Sequence, residues 1–273
     1  MNTDHQYRIV LLDSGIGGFS ILKSLLNQFH NSHFFYYLDR KNFPYGTKSE
    51  AQVKKIVLEA SAWLKSEYKP DLFVVACNTA STAVLSELRS ELDFPVVGVV
   101  PAIKPAAELS KTKNIALLAT NGTIQRHYIR ELINQHAEGC EIQFFGSEIL
   151  VALAEKKIME KNLDLDMLKK EMAPFFNEIV ERNNIDVVVL GCTHFSFLIE
   201  ELKSLATRPI AFVDSVEGVT RRIKAVLESL EVKIDENQSP PLWEIISSSN
   251  LSADESANLK NFMQGFEIKM RKY

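Results

Sequence analysis

Three cysteines in 273 residues, and no apolar run approaching the roughly 18 needed to cross a bilayer, set the first limits on this chain. Three thiols make a poor disulfide framework, so Cys77, Cys140 and Cys192 are expected to be free. The start, Met1-Asn2-Thr3-Asp4-His5-Gln6, lacks a signal-peptide pattern, and a cytoplasmic location is expected. Positive charge is not in excess either: the net charge is -4 and the pI near 5.9, which gives no electrostatic footprint for nucleic acid or an anionic membrane. Neither CxxC nor HExxH occurs, so no metal is expected. GxGxxG and GxxxxGK[ST] are missing as well; Asp13-Ser14-Gly15-Ile16-Gly17-Gly18 reads GxGG, and an aspartate at the strand end would repel a pyrophosphate. There is no low-complexity tract or long linker, and the length allows two compact units or one large one.

What is present is a pair of similar stretches. Leu72-Phe73-Val74-Val75-Ala76-Cys77-Asn78-Thr79 and Val187-Val188-Val189-Leu190-Gly191-Cys192-Thr193-His194 are apolar, β-branched runs that stop on a cysteine followed by small polar side chains. Runs of this type read as buried parallel strands, and in open α/β sheets ligands bind at the carboxyl ends of the strands. The rest of the chain alternates strands and helices in the same manner. A strand at Tyr7 to Asp13 precedes a glycine turn, Pro44-Tyr45-Gly46 forms a turn, and Lys48 to Ser66 reads as a long amphipathic helix. Pro101 with Pro105 marks a change of direction. Later come helices at Ile124 to His136 and after His194, strands at Glu141 to Phe145 and Ile210 to Ser215, an edge strand at Leu242 to Ser247 and a closing helix from Ala253 to Phe266. Asp214-Ser215 reads as a strand-end cap.

From Asp13 to Cys77 is 64 positions, and from Thr120 to Cys192 is 72. Each half thus offers a strand ending in a small polar side chain with a glycine loop, then a strand ending in cysteine, which is the pattern of a duplicated unit. Strands recur every few tens of residues in any α/β chain, so chance spacing is the competing explanation.

Two opposed cysteines can invert a stereocentre without a cofactor: one thiolate removes a proton from carbon while the other thiol protonates the opposite face. The base must be thiolate, and helix N-termini after Cys77 and Cys192 would favour it. A strand cysteine is otherwise a small buried hydrophobe, which is the reading kept for Cys140. Asn78, Thr79 and Thr193 can cap helices or hold a substrate carboxylate. Asp13 is placed to hold an ammonium group or to orient a thiol proton, and His194 to share protons with Cys192.

The motifs Asp13-Ser14-Gly15-Ile16-Gly17-Gly18, Pro44-Tyr45-Gly46, Cys77-Asn78-Thr79-Ala80-Ser81 and Gly191-Cys192-Thr193-His194 resemble, in order and approximate spacing, those of the glutamate racemases of bacterial wall synthesis. The resemblance extends through Ala119-Thr120-Asn121-Gly122-Thr123 and Val213-Asp214-Ser215. It implies two similar parallel-sheet α/β domains related by pseudo-symmetry, with the active site in the cleft between them: 1–99 plus 208–273 in the first and 100–207 in the second. It implies cofactor-independent interconversion of L- and D-glutamate for peptidoglycan by a homodimer. Catalytic roles fall on Cys77, Cys192, Asp13 and His194, with Cys77 acting on the D form and Cys192 on the L form. Substrate binding falls on Asp13, Ser14, Tyr45, Gly46, Asn78, Thr79, Thr193 and His194, and further candidate positions are Glu155 and Thr120. Two segments depart from the family pattern: Gly146-Ser147-Glu148 stands where Ala-Cys-Pro is common, and Phe195-Ser196-Phe197 where Tyr-Pro-Leu is usual. The alternatives are racemisation of aspartate or a hydantoin, a cleft that only binds an amino acid, and a redox pair of Cys77 with Cys192.

Overall fold

A computed structural model describes residues 6–30, 32–230, 241–263 and 269–272, the last as backbone only. The leader reading at residues 1–5, the break at Ser239-Pro240 and the end of the closing helix at residues 264–266 lie outside the described residues. The chain begins with β1 (Tyr7–Asp13), α1 (Phe19–Leu26), β2 (Ser32–Leu38), α2 (Glu50–Tyr68), β3 (Leu72–Val75), α3 (Asn78–Glu91), β4 (Val96–Gly98) and α4 (Ile103–Leu109). It continues with β5 (Asn114–Ala119), α5 (Asn121–Ile124), α6 (His127–His136), β6 (Glu141–Gly146), α7 (Ile149–Met159), α8 (Leu165–Pro174), β7 (Val187–Leu190), α9 (Ile199–Leu205) and β8 (Ala211–Val213). It closes with α10 (Val216–Ser229), β9 (Leu242–Ser247), α11 (Ala253–Phe262) and β10 (Lys269–Lys272). Among the described residues no helix is long and apolar enough to cross a membrane.

The strands form two all-parallel sheets, ordered β10-β9-β2-β1-β3-β4 and β6-β5-β7-β8. Their near-continuous apolar runs follow from burial on both faces. Alternate side chains of one strand point to opposite sides, so Ile9 and Leu11 enter one core and Val10 and Leu12 another. In β5, Ala116 and Leu118 face one core while Ile115 and Leu117 face its opposite. Each sheet is thereby sandwiched by helices. Ser49 and Gln52 close a reciprocal capping box at the start of α2, which fixes that helix two residues later than the sequence predicts.

The duplication is visible in the ladder. The order β2-β1-β3-β4 is repeated as β6-β5-β7-β8. The Ala76 amide donates to the Leu12 carbonyl at 2.8 Å, and the Gly191 amide to the Leu118 carbonyl at the same distance. Cys77 and Cys192, one residue further on, are therefore equivalent. The same register equates Asp13 with Ala119 and Ser14 with Thr120, which corrects the pairing of Asp13 with Thr120 by spacing. Residue counting misses this because hydrogen bonds, not strand ends, set the register.

Three other expectations change. The strand β9 is interior rather than an edge, since β10 pairs along it. The helix predicted from Ile124 to His136 starts three residues later, as α6, because extended backbone at Arg126 separates it from the short α5, whose start the Thr120 hydroxyl caps by accepting from the Thr123 amide. The return to the first half lies later than 208: β8 pairs with β7, whereas α10 packs on the first sheet, so the crossing is the Asp214-Ser215 turn. The outward crossing lies between β4 and α4, whose Ile103 and Ala106 already join the second core. Ser215 Oγ donates to the Val100 carbonyl at 2.6 Å and ties the two crossings together. A cavity of about 530 Å³, lined by Gly98, Pro101, Val213 and Ser215 among others, opens beside them.

Candidate active site

Both cysteines stand two residues beyond a strand, at the carboxyl edge of their sheet, and each is 7% exposed. Cys77 is the N-cap of α3. Cys192 precedes a six-residue 3₁₀ turn, Thr193–Leu198, rather than the predicted helix, and so faces a weaker dipole. Cys140 is half-buried against the second core, as a small hydrophobe.

The first loop wraps around a buried carboxylate. Asp13 Oδ2 accepts from the Gly18 amide at 2.7 Å and Oδ1 from the Gly15 amide at 3.3 Å. Ser14 Oγ lies 3.4 Å from Oδ1, and Thr193 Oγ1, from the other half, 3.4 Å from Oδ2. Burial pushes the Asp13 pKa up to about 6, against the pull of His194 and the Gly15 and Gly18 amides. Burial also pushes the Cys77 thiol well above its ordinary value, with help from Asp13 and from Cys192, while the Thr79 and Ala80 amides pull the other way. The sequence predicts a lowered thiol pKa here; desolvation outweighs the helix amides.

The second loop carries a histidine and a carboxylate. His194 Nδ1 is 3.9 Å from Cys192 Sγ, and Nε2 is 2.9 Å from Glu155 Oε1. Burial alone would lower the His194 pKa, but Cys192 and Glu155 hold it well above its usual value, which favours the protonated ring. Glu155 Oε1 also accepts from the Ile16 amide at 2.8 Å, which crosses from one half to the other. Gly15 permits that approach: a Cβ there would stand 2.2 Å from Glu155 Oε1.

Around these groups the halves meet through small polar side chains. Thr79 Oγ1 is 3.0 Å from Thr120 Oγ1 and from Thr123 Oγ1, which are 2.9 Å apart. Thr79 is thus committed across the junction rather than to capping α3. Gly46 touches the same cluster, since a Cβ on it would come within 2.9 Å of Thr120 Cβ. The Tyr45 hydroxyl donates to Asp39 Oδ2 at 2.7 Å, so this tyrosine anchors the loop that presents Gly46. Asn78 is buried with both amide atoms, Oδ1 and Nδ2, lacking a partner. Buried amides are normally satisfied. A void of about 10 Å³ has Asn78 of one half and Cys192 and Thr193 of the other in its wall.

Every residue singled out from the sequence except Cys140 lies at this junction or in the loops that build it. Thr123, Tyr36, Arg40 and Glu255 were not legible there. Thr123 sits in a quoted motif and could have been found as the next hydroxyl on the Thr120 turn; Tyr36, whose hydroxyl donates to the Gly15 carbonyl at 2.9 Å, reads as an ordinary strand aromatic. Asp214 Oδ1 accepts from the Val216 amide at 3.0 Å, which is the strand-end cap. Among the described residues no group of three or more His, Cys, Asp or Glu side chains could hold a metal ion.

Fold and site define a two-domain parallel α/β protein with a cysteine at matching strand ends on either side of one junction. The family model for Asp/Glu/hydantoin racemases matches residues 14–223. The chain belongs to that family. It is 43% identical to glutamate racemase of Pasteurella multocida over 87% of each chain, and 40% identical to glutamate racemase of Shewanella sp. (strain MR-7) over 96% of this chain and 88% of that one. Its structure is similar to that of Escherichia coli glutamate racemase in complex with L-glutamate and the activator UDP-MurNAc-Ala, with a TM-score of 0.83, 38% identity and 98% of each chain covered.

Proposed function

We propose that this protein interconverts L- and D-glutamate, with Cys192 and Cys77 as the two acid–base groups on opposite faces of Cα. In the L-to-D direction the Cα–H bond breaks and its proton goes to the Cys192 thiolate. The electron pair left on carbon then takes the Cys77 proton at the other face. Nothing is oxidised or reduced, and the reverse reaction exchanges the roles. The directions of the shifts support this division. His194, pushed towards its protonated form, is placed to stabilise negative charge on the neighbouring sulfur of Cys192, while burial favours the thiol at Cys77. For the D-to-L direction Asp13, with its pKa near 6, is the nearby group to receive the Cys77 proton, and His194, beside Cys192, is the group to supply the proton that this sulfur then gives to carbon. A desolvated thiolate is also the stronger base, which suits removal of a proton from a weak carbon acid.

Asn78 is the observation that carries substrate binding: a buried amide with unmet donors and acceptor beside Cys192 fits a ligand that is both anionic and cationic. Ser14, Thr120, Thr193 and the amides around Gly46 complete a polar cradle for the two carboxylates. The relatives' names support glutamate over aspartate or hydantoins. We further read the protein as a cytoplasmic homodimer that supplies D-glutamate for peptidoglycan, with a discontinuous first domain.

The test is circular dichroism of pure glutamate enantiomers with no cofactor added. Both should racemise, and activity on aspartate alone would overturn the substrate. Cys77→Ser and Cys192→Ser should each lower racemisation by at least about 10³-fold. Each should still eliminate chloride from one enantiomer of 3-chloroglutamate, a reaction that needs a single base. Retention of racemisation in either variant overturns the two-thiol mechanism.

A further inference from the structure

Glu155 is shared three ways. Its Oε1 takes the His194 and Ile16 bonds already described, and its Oε2 lies 3.4 Å from Arg40 Nη1. The other end of that guanidinium, Nη2, is 2.5 Å from Glu255 Oε1 on α11. Glu255 is also the third residue of its helix: its Oε2 accepts from the Ser252 amide at 2.8 Å, and Ser252 Oγ from the Glu255 amide at 3.1 Å. One line of polar contacts therefore runs from Cys192 through His194, Glu155 and Arg40 to the cap of a helix in the returning segment.

We propose that Arg40 is a positioning residue for the Cys192 side of the reaction. Glu255 and Glu155 compete for its guanidinium, and the share that reaches Glu155 sets how firmly that carboxylate holds His194 against Cys192. The assignment of Cys192 as a base rests on the proposed function; the competition for Arg40 does not.

The side chains of Arg40, Glu155 and Glu255 are 25%, 9% and 20% exposed, so solvent screens them only in part. His194 also faces Cys192 and Asp13, and Glu155 bears on Asp13 and Tyr36. Of the two lysines that follow Glu155 on α7, Lys156 is exposed and Lys157 is turned to Glu201 and the Phe197 carbonyl, so among the described residues Arg40 is the cation paired with Glu155 besides His194. The two acids therefore act on His194 with opposite sign. Removing Arg40 leaves the Glu155 carboxylate to His194 and Ile16 and strengthens the imidazolium. Neutralising Glu255 turns Arg40 wholly towards Glu155 and weakens it. Glu255→Gln keeps the capping box, because glutamine serves that position as well as glutamate, so the helix start is preserved.

The test is an NMR titration of His194 in histidine-labelled protein, assigned with His194→Asn, alongside the pH profile of kcat. Arg40→Ala should move the His194 pKa up, and Glu255→Gln down, each by about half a unit or more. Arg40→Ala with Glu255→Gln should match Arg40→Ala, and Arg40→Lys, which keeps the charge without the two-ended fork, should fall between it and the native chain. The corresponding limb of kcat should follow. Shifts of the same sign in both single variants, as a general loss of packing would give, or no shift in either, would overturn the proposal. If Cys192→Ser retains racemisation while the NMR order holds, the fault lies in the two-thiol mechanism and not in the role of Arg40.

Discussion

At the scale of single residues the site is a set of buried polar groups held in states they would not adopt in water. Asp13 is fully buried with its pKa raised to about 6 from 3.8. A carboxyl whose folded pKa is raised stabilises the fold fully below about pH 4, and that stabilisation is lost as the pH rises through 6. Asp13→Asn should thus gain stability relative to the native chain between pH 4 and 7, by up to about 3 kcal/mol, measured by urea unfolding at several pH values. Its racemisation should fall over the same range. A stability difference independent of pH would show that the buried carboxyl is not strained in this way. Asn78 makes a parallel case. Its amide has no hydrogen-bond partner within the protein, so Asn78→Ala should leave Tm unchanged or higher while raising KM for glutamate at least about tenfold. A large fall in Tm would assign Asn78 to structure instead.

At the scale of elements, two loops and two turns meet so closely that side-chain volume decides the fit. A Cβ on Gly46 would press on Thr120, within the hydroxyl cluster of Thr79, Thr120 and Thr123. Gly46→Ala should push the halves apart there and lower kcat/KM by about ten- to a hundredfold. Thr123→Val removes one hydroxyl at nearly constant volume and should cost about 1–3 kcal/mol of stability by leaving buried partners unpaired. Chemical unfolding and steady-state kinetics on the two variants separate these effects. This is also the scale at which reading from sequence succeeded and failed. The strands leading to Cys77 and Cys192 were legible because burial on both faces leaves an unbroken apolar run that ends on the thiol. The interior position of β9 was not, since its partner β10 is Lys269-Met270-Arg271-Lys272, a charged stretch without the apolar pattern of a buried strand. Asp13 and Thr120 were both found, but their equivalence was misjudged by one residue. Arg40 and Glu255 carry charge on a loop and a helix start, where solvated side chains are the rule, and only tertiary contact marks them.

At the scale of the whole molecule, the free energies of the two enantiomers are identical, so the equilibrium constant is one and kcat/KM is the same in both directions for every variant. Damage to one thiol's surroundings should therefore appear as unequal kcat values matched by unequal KM values. Full progress curves from each enantiomer check this, and a variant that breaks the equality is catalysing something besides racemisation. A ligand held between both halves stabilises the whole fold. Glutamate at about 100 times its Kd should add about 2.7 kcal/mol, which for a chain of this size raises Tm by roughly 5–11 °C. Asn78→Ala should show a smaller rise at the same concentration.

The chain crosses between its sheets twice, and Ser215 clasps one crossing to the other at Val100. A body joined to its neighbour by a single strand can swing and twist in any direction, whereas two strands clasped together act as a spine and allow little but rotation about it. Two tethers fastened to each other at one edge resist the sliding of one sheet past the other, so the strand ends that carry Cys77 and Cys192 are held in a fixed register by a single hydroxyl far from either thiol in the chain.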